Sequence, residues 1–284
     1  MSEFYNGQPL SIHVWQGGPG GVGLNEIQAL DLFANNAAPV YYDNVSLGAY
    51  GACSGSWVQR SPLTPSPSAR EHHAMAYDSV RGRTVLFGGD NPSYLGDTWE
   101  WNGANWTQVA TTGPSARNET AMAYDSAHGV VVLFSGGQNN NPQGNNDTWL
   151  WNGTTWTHVF PALSPSARVR HAMAYDSARG RVVLFGGYAG CGVDQHDTWE
   201  WDGTNWTLVS TTGPNARESH AMTYDSARGK TVLFGGFNGV RLGDTWEWNG
   251  TTWTQAATTG PTGRSDLALA YDSGCCAQTI LFGG

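Results

Sequence analysis

The histidines are the residues of this sequence best suited to metal binding or acid–base chemistry. Three of them occupy one equivalent position in copies of a repeated segment: His73, His171 and His220. Thr120 and Leu267 stand at that position in two other copies. A closed metal site needs three or four convergent ligands, so a position that accepts threonine and leucine does not predict one. His72 and His196 are less regular, but no ligand spacing of cysteines or carboxylates accompanies them. We therefore expect no metal site and no cofactor.

Other catalytic signatures are equally weak. The sequence has no G-x-S-x-G motif of the kind that presents a nucleophilic serine. Its glycine-rich run, from residue 16 to residue 23, lacks the Lys-Ser/Thr ending of a phosphate-binding loop. A catalytic site in a repeat protein requires a constellation that breaks the repeat, and none is evident. We expect no catalytic residues, and an enzyme is the less favoured interpretation.

A repeat of about 50 residues organises the elements that would position any site. Arginines open five units at spacings of 47, 51, 49 and 47 residues: Arg70, Arg117, Arg168, Arg217 and Arg264. Paired glycines follow at spacings of 48, 50, 49 and 48 residues, the first of each pair being Gly88, Gly136, Gly186, Gly235 and Gly283. The two series agree, which indicates a radial or stacked β architecture.

Each unit predicts four short strands. In the third unit they are residues 171–175, an alternating small and large run, 181–185, a β-branched run, 198–201 and 206–209. Asp176 and Gly180 bound a turn between the first two strands, and Asp202-Gly203 forms a hairpin turn between the last two. The double glycine ends the second strand where backbone must pass close to neighbouring structure.

This combination resembles the kelch repeat: an arginine before a small-residue strand, a hydrophobic run ending in a double glycine, and aromatic residues at fixed offsets. The resemblance covers roughly Trp57 to the C-terminus. It implies an all-β propeller of four-stranded antiparallel blades around a central channel. The third strand departs from the family in carrying W-x-W where a single tyrosine is more common.

Blade number follows from counting complete and partial units. Complete units open at Arg70, Arg117, Arg168 and Arg217, and the unit at Arg264 supplies only two strands. Residues 41–60 offer strands three and four, so we expect five blades, one of them composite. A larger ring of six or seven blades, of which this chain is a part, is the alternative.

Kelch-type enzymes include copper radical oxidases of the galactose oxidase type, which need a tyrosine crosslinked to a cysteine. The tyrosines at the repeat position have no cysteine partner by motif: Tyr77, Tyr124, Tyr175, Tyr224 and Tyr271. Cys191 lies only three residues after Tyr188, too close for that crosslink. The sequence therefore favours a binding or scaffold module, and a catalytic propeller of galactose oxidase type or a hydrolase remains the alternative.

Composition limits the partners. The net charge is −9 with no run of either sign, which disfavours nucleic acid. No stretch approaches the roughly 20 apolar residues of a membrane helix. The scarcity of lysine and the abundance of glycine, threonine, asparagine and tryptophan favour an exported protein, extracellular, periplasmic or at the cell surface, although residues 1–10 do not form a signal peptide. We expect a monomeric module of a multidomain protein.

The sequence divides into an N-terminal segment without the repeat and a longer repeat region. Residues 1–40 form a non-repeat segment, and residues 41–284 form the propeller. Pro39 to Leu47 is similar to the last strand of jelly-roll or carbohydrate-binding modules, so the N-terminal segment is interpreted as the remnant of a preceding β domain. Cys53 is expected near Cys275 or Cys276 as a structural disulfide, with a vicinal or intermolecular bond as the alternative and Cys191 free.

Residues that recur in every unit are expected to be structural. Twelve of the fourteen tryptophans fall at three equivalent positions in four units, and each hides about 150–250 Å² when it is buried. The five unit-opening arginines are interpreted in the same way.

Function is expected where the copies differ. The residues after each arginine and the stretch after each double glycine lie at one end of a propeller, because an even number of strands separates them. The predicted ligand-binding residues at that end are Glu71, His72, Tyr94, Asn118, Glu119, Arg170, Tyr188, His196, Glu218, Ser219, Arg241 and Asp266. The set is mixed and mildly acidic, which favours a protein or glycan ligand over a polyanion.

Overall fold

The computed structural model describes residues 65–138, 141, 144–190, 192–273 and 277–284, and six short strands before residue 65. Those strands are β1 (Phe4–Tyr5), β2 (Gln8–Pro9), β3 (His13–Val14), β4 (Glu26–Ile27), β5 (Val45–Leu47) and β6 (Gly55–Ser56). The regular structure of the described residues is entirely β. Among these residues there is no helix of the length and apolarity that crossing a membrane requires.

Four antiparallel blades of four strands follow, in agreement with the predicted β-propeller. The first consists of β7 (Ala74–Asp78), β8 (Arg83–Phe87), β11 (Thr98–Trp101) and β12 (Trp106–Ala110), with a hairpin of β9 (Asp90–Asn91) and β10 (Ser93–Tyr94) between β8 and β11. The second consists of β13 (Ala121–Asp125), β14 (Val130–Phe134), β15 (Thr148–Trp151) and β16 (Trp156–Val159). The third consists of β17 (Ala172–Asp176), β18 (Arg181–Phe185), β19 (Thr198–Trp201) and β20 (Trp206–Ser210). The fourth consists of β21 (Ala221–Asp225), β22 (Lys230–Phe234), β23 (Thr245–Trp248) and β24 (Trp253–Ala257).

A fifth sheet combines both parts of the chain. Strands β25 (Leu267–Asp272) and β26 (Gln278–Gly283) pair with each other, and β26 pairs on its other side with β3. The assignment of this role to residues 41–60 was wrong, because β5 and β6 pair instead with β4 in a separate sheet. Counting complete and partial units along the sequence does not show which strand edge lies nearest in space. The count of five blades stays a prediction.

One landmark was assigned to the wrong residue in the second unit. Phe87 and Phe134 are equivalent strand ends, so the residue after Phe134, Ser135, stands at the position of Gly88. Ser135 adopts φ 55°. Its hydroxyl donates to the Arg168 carbonyl at 2.7 Å and accepts from the Arg168 N–H at 2.9 Å. These two bonds hold a serine where the other units use glycine.

The hydrophobic core lies between blades. Phe87 of the first blade packs with Leu133 and Trp151 of the second, and the next blade pair repeats the arrangement. Alternation of small and large residues on the inner strands allows this, because alanines leave room for the neighbouring blade's aromatic rings. Tryptophan also bonds across the interface, since Trp206 Nε1 donates to Thr148 Oγ1 at 2.9 Å.

In each four-stranded blade, the unit-opening arginine bonds to the connection between the second and third strands. Arg168 is fully buried and donates to both carboxylate oxygens of Asp197, at 2.7 and 2.9 Å, and to the carbonyl of Gly186 at 2.9 Å. The same carboxylate accepts from Trp199 Nε1 at 2.7 Å. Three other units contain equivalent arginine–aspartate pairs: Arg70 with Asp97, Arg117 with Asp147 and Arg217 with Asp244.

The inner strands surround a central channel. Strand β13 packs between β7 and β17, and β21 packs between β17 and β25. Residues of these five strands line a cavity of about 640 Å³. Because each blade's strands alternate in direction, the connections that follow the double glycines lie at one end of this channel, together with the residues after each arginine.

Candidate functional site

Five residues with left-handed backbone surround one end of the channel, and we call them the mouth ring: His72, Glu119, Arg170, Ser219 and Asp266, with φ between 51° and 57°. Each follows a unit-opening arginine by two positions. Their backbones bond around the channel, since each N–H from Glu119 onward donates to the carbonyl of the preceding member at 2.9–3.0 Å.

The mouth ring fixes side chains of very different chemistry in equivalent places. Left-handed backbone costs a non-glycine residue about 1–3 kcal/mol and persists only where the surrounding structure imposes it. In the mouth ring, residues with an imidazole, a carboxylate, a guanidinium or a hydroxyl side chain all adopt the left-handed backbone. The conformation therefore comes from the repeating frame, and the sequence is free to vary the groups that face the channel end.

A second set of positions lies outside the mouth ring. The residue directly after each arginine forms a bridge with the residue directly after the double-glycine position. The bridged pairs are Glu71 with Asp90, Asn118 with Gly137, Val169 with Tyr188 and Glu218 with Phe237. These bridges bring the variable connection of each blade next to the mouth ring.

Charge at this end is concentrated around Arg170. Its Nε donates to Glu119 Oε1 at 2.6 Å, and its Nη1 lies 3.3 Å from both carboxylate oxygens of Glu218. Burial lowers the pKa of the Arg170 guanidinium, but the bonds with Glu119 and Glu218 outweigh burial and the net pKa is raised. Burial raises the pKa of Glu218, although Arg170 opposes the shift. The three residues form an ordered bridge across three blades.

A cavity of about 410 Å³, which we call the face cavity, opens beside this bridge. Its lining residues are His72, Arg170, Glu218, Ser219, Phe237, Arg241, Ser265 and Asp266. Six of them are among the predicted ligand-binding residues. Phe237 adds an aromatic surface that is 39% exposed. The cavity thus combines hydrogen-bond donors and acceptors of both charges with one apolar ring.

A group of potential metal ligands lies at the other side of His72. Donor atoms of Glu71, His72 and Asp90 all lie within 4.8 Å of one another. His72 Nδ1 is 3.2 Å from Asp90 Oδ1, which also accepts from Asn118 Nδ2 at 2.9 Å. This group was not expected from the spacing of the histidines.

The remaining predicted residues are more dispersed. Glu119 lines the central channel, and Asn118 is buried, where it supports Asp90. Tyr94 lies in the β9–β10 hairpin, and Tyr188 bridges to both Val169 and Asp194. His196 is exposed in the connection before β19. The three cysteines proposed for a disulfide, Cys53, Cys275 and Cys276, lie outside the described residues, as does Cys191.

Sequence reasoning placed Asp90 and Phe237 in the variable stretches but did not select either one as a ligand-binding residue. Both directly follow a double glycine, and both bridge to the residue after an arginine. Aligning each first residue of the variable stretch with the residue after the arginine of the same unit would have identified them. The signal was present in the repeat, but it depends on knowing that these two positions pair.

The fold and this end of the channel define a β-propeller of four-stranded antiparallel blades. Comparison with protein-family models gives no match, and comparison with curated proteins finds no similar sequence.

Proposed function

We propose that the chain is a kelch-type propeller that binds a protein or glycan ligand at the face cavity and the mouth ring. In this proposal it is a non-catalytic binding or scaffold module of an exported multidomain protein. The observation that carries the proposal is the face cavity itself, whose lining differs from unit to unit although it stands on a frame that repeats.

The division between frame and face supports a binding role. Residues that recur are bonded to other residues of the frame, as Arg168 is to Asp197 and Trp206 is to Thr148, and they are buried or largely buried. Residues that line the face cavity include a phenylalanine, two arginines and two carboxylates, none of which recurs at its position in every unit. A rigid scaffold that presents variable side chains is the arrangement that recognition sites commonly use.

The cavity's chemistry suits an amphipathic polar ligand. The Phe237 ring offers an apolar surface against which a sugar ring or a peptide side chain packs. Glu218 and Asp266 offer acceptors, and Arg241 offers guanidinium donors. The net charge of −9 disfavours a polyanion. These features support a protein or glycan and disfavour nucleic acid.

A direct test screens the full chain against a glycan array and a displayed peptide library, and then measures the strongest ligand by calorimetry. Phe237→Ser and Asp266→Ala should each weaken binding by about tenfold or more, as expected for residues central to an interface. Val80→Ser is the matched control, because Val80 is exposed in the turn between β7 and β8 at the opposite end of the channel. Binding that survives both face variants, or that Val80→Ser abolishes, would contradict the proposal.

A further inference from the structure

We propose that Glu71, His72 and Asp90 bind a first-row divalent transition-metal ion, of which Zn²⁺ is the representative, beside the mouth of the channel. The site would be formed by the first unit alone. This inference does not rest on the binding of a protein or glycan at the face cavity.

The donor set selects the class of metal. Two carboxylates and one imidazole provide oxygen and nitrogen donors. Imidazole suits zinc, copper, nickel and iron, whereas calcium and magnesium prefer sites made of oxygen alone. Three protein ligands leave one position of a tetrahedral ion for water or another ligand. The chemistry therefore favours an open transition-metal site over a closed structural one.

The geometry places two of the donors at the required separation. Metal–ligand bonds of about 2.0 Å in a tetrahedron put neighbouring donor atoms about 3.3 Å apart. His72 Nδ1 and Asp90 Oδ1 are 3.2 Å apart. The donor atom of Glu71 lies within 4.8 Å of the other two donor atoms, so all three belong to one compact group.

The backbone holds the donors in place before any ion arrives. Glu71 and Asp90 exchange two backbone hydrogen bonds, at 3.2 and 3.0 Å. The His72 carbonyl accepts from the Glu119 N–H within the mouth ring at 2.9 Å. Asn118 Nδ2 donates to Asp90 Oδ1 at 2.9 Å, which orients the carboxylate as supporting residues do around metal ligands. The side chains of His72 and Asp90 are 32% and 19% exposed, so an ion has access.

The other units act as internal comparisons. At the three positions of Glu71, His72 and Asp90, the second unit has Asn118, Glu119 and Gly137; the third has Val169, Arg170 and Tyr188; and the fourth has Glu218, Ser219 and Phe237. None of these sets combines an imidazole with two carboxylates. Of the four units compared, only the first therefore brings three metal-ligating side chains together at these positions.

Calorimetric titration of the full, chelator-treated chain with Zn²⁺ tests the site. Asp90→Asn and Glu71→Gln should each weaken one binding event by roughly tenfold or more, while the fold stays unchanged by circular dichroism. Glu218→Gln is the matched control, because Glu218 occupies the position of Glu71 in the fourth unit and should leave that event unchanged. Cysteines and other histidines that bind Zn²⁺ elsewhere would be unaffected by all three variants.

Crystals soaked in Zn²⁺ provide the second measurement. An anomalous peak about 2.0–2.2 Å from His72 Nδ1 and an Asp90 carboxylate oxygen is expected. The proposal is overturned if no peak occurs there, or if Asp90→Asn and Glu71→Gln bind Zn²⁺ as the unaltered chain does. Displacement of Zn²⁺ by equimolar Ca²⁺ would overturn the assignment to a transition metal.

Discussion

Arg168 and Asp197 form a two-pronged ion pair across 29 residues of sequence, with Nη1 to Oδ1 at 2.7 Å and Nη2 to Oδ2 at 2.9 Å. The arginine side chain is fully buried and the aspartate is 19% exposed. Burial raises the pKa of Asp197, but the bonds from Arg168 outweigh burial and the net pKa is lowered. The pair fixes the start of the third unit to the start of its third strand.

Removing one partner of this pair should strongly destabilise the protein. Arg168→Ala removes the donor to the Asp197 carboxylate and to the Gly186 carbonyl. It also leaves a buried void where the guanidinium was. We expect a loss of about 3–5 kcal/mol in the free energy of unfolding, measured by urea denaturation. Arg181→Ala, at a partly exposed arginine of the same blade, should change stability by less than about 1 kcal/mol. Equal losses in the two variants would refute the structural role.

Two glycines of the third blade separate the cost of backbone conformation from the cost of crowding. Gly180 and Gly186 have nearly the same φ, 62° and 63°. A Cβ added at Gly186 would lie 2.8 Å from the Arg217 carbonyl oxygen. A Cβ added at Gly180 would meet no atom closer than 3.9 Å. Gly180→Ala should cost about 1–2 kcal/mol for the left-handed backbone. Gly186→Ala should cost clearly more in the same denaturation assay, because backbone must move. Similar costs would show that the close approach is absent.

Stability should fall as the pH drops below the ordinary pKa of histidine. Burial lowers the pKa of His220 to about 3 and places the pKa of His171 well below 6.5. Below pH 6.5 the unfolded chain therefore binds protons that the folded chain does not, and each histidine costs about 1.4 kcal/mol per pH unit until its folded pKa is reached. The aspartates with lowered pKa values lose their contribution only at more acidic pH, below about 3.8.

The variant that tests this pH dependence is His220→Thr. The second unit already has a threonine, Thr120, at the equivalent position. Thr120 Oγ1 donates to the Phe134 carbonyl at 3.0 Å, so threonine has a partner at that position. Denaturation between pH 4 and pH 6 should show a slope smaller by about one proton. A slope equal to that of the unaltered chain would show that His220 is not buried in its neutral form.

Hydrogen bonds from tryptophan should contribute to the attachment of one blade to the next. Thr148→Val keeps the shape of the side chain but removes the acceptor for Trp206 Nε1. A buried donor left without its partner costs about 1–3 kcal/mol. Thr155→Val, in the exposed turn of the same blade, is the control. No difference in melting temperature between the two variants would contradict the role of this bond.

Sequence reasoning located the strands well because the repeat imposes them. The strand predicted at residues 171–175 is Ala172–Asp176, and those at 181–185 and 198–201 match in full. Local pattern is sufficient there, since turn residues such as Asp176 and Gly180 bound each hairpin. Gly136 was taken for the equivalent of Gly88 because Ser135 replaces glycine at that position by bonding to Arg168, and a contact with the next blade is not visible in local sequence.

The site was less predictable for the same physical reason. Sequence reasoning identified the correct end of the channel, because an even number of strands separates the two connections. Six of the twelve predicted residues line the face cavity at that end. The approach of Asp90 to His72 depends instead on a bridge between Glu71 and Asp90, 19 residues apart. Likewise, the pairing of β26 with β3 joins segments more than 260 residues apart, which counting repeat offsets did not reveal.

The central claim is that ligands bind at the end of the channel where the face cavity lies. Hydrogen–deuterium exchange of the full chain, with and without the ligand selected by the screen, tests this most directly. We predict protection of the segments 70–72, 118–119, 168–170, 217–219, 237–241 and 264–266, and unchanged exchange in the turns 79–82, 126–129 and 177–180 at the opposite end. Protection confined to those turns, or to the outer strands, would contradict the account.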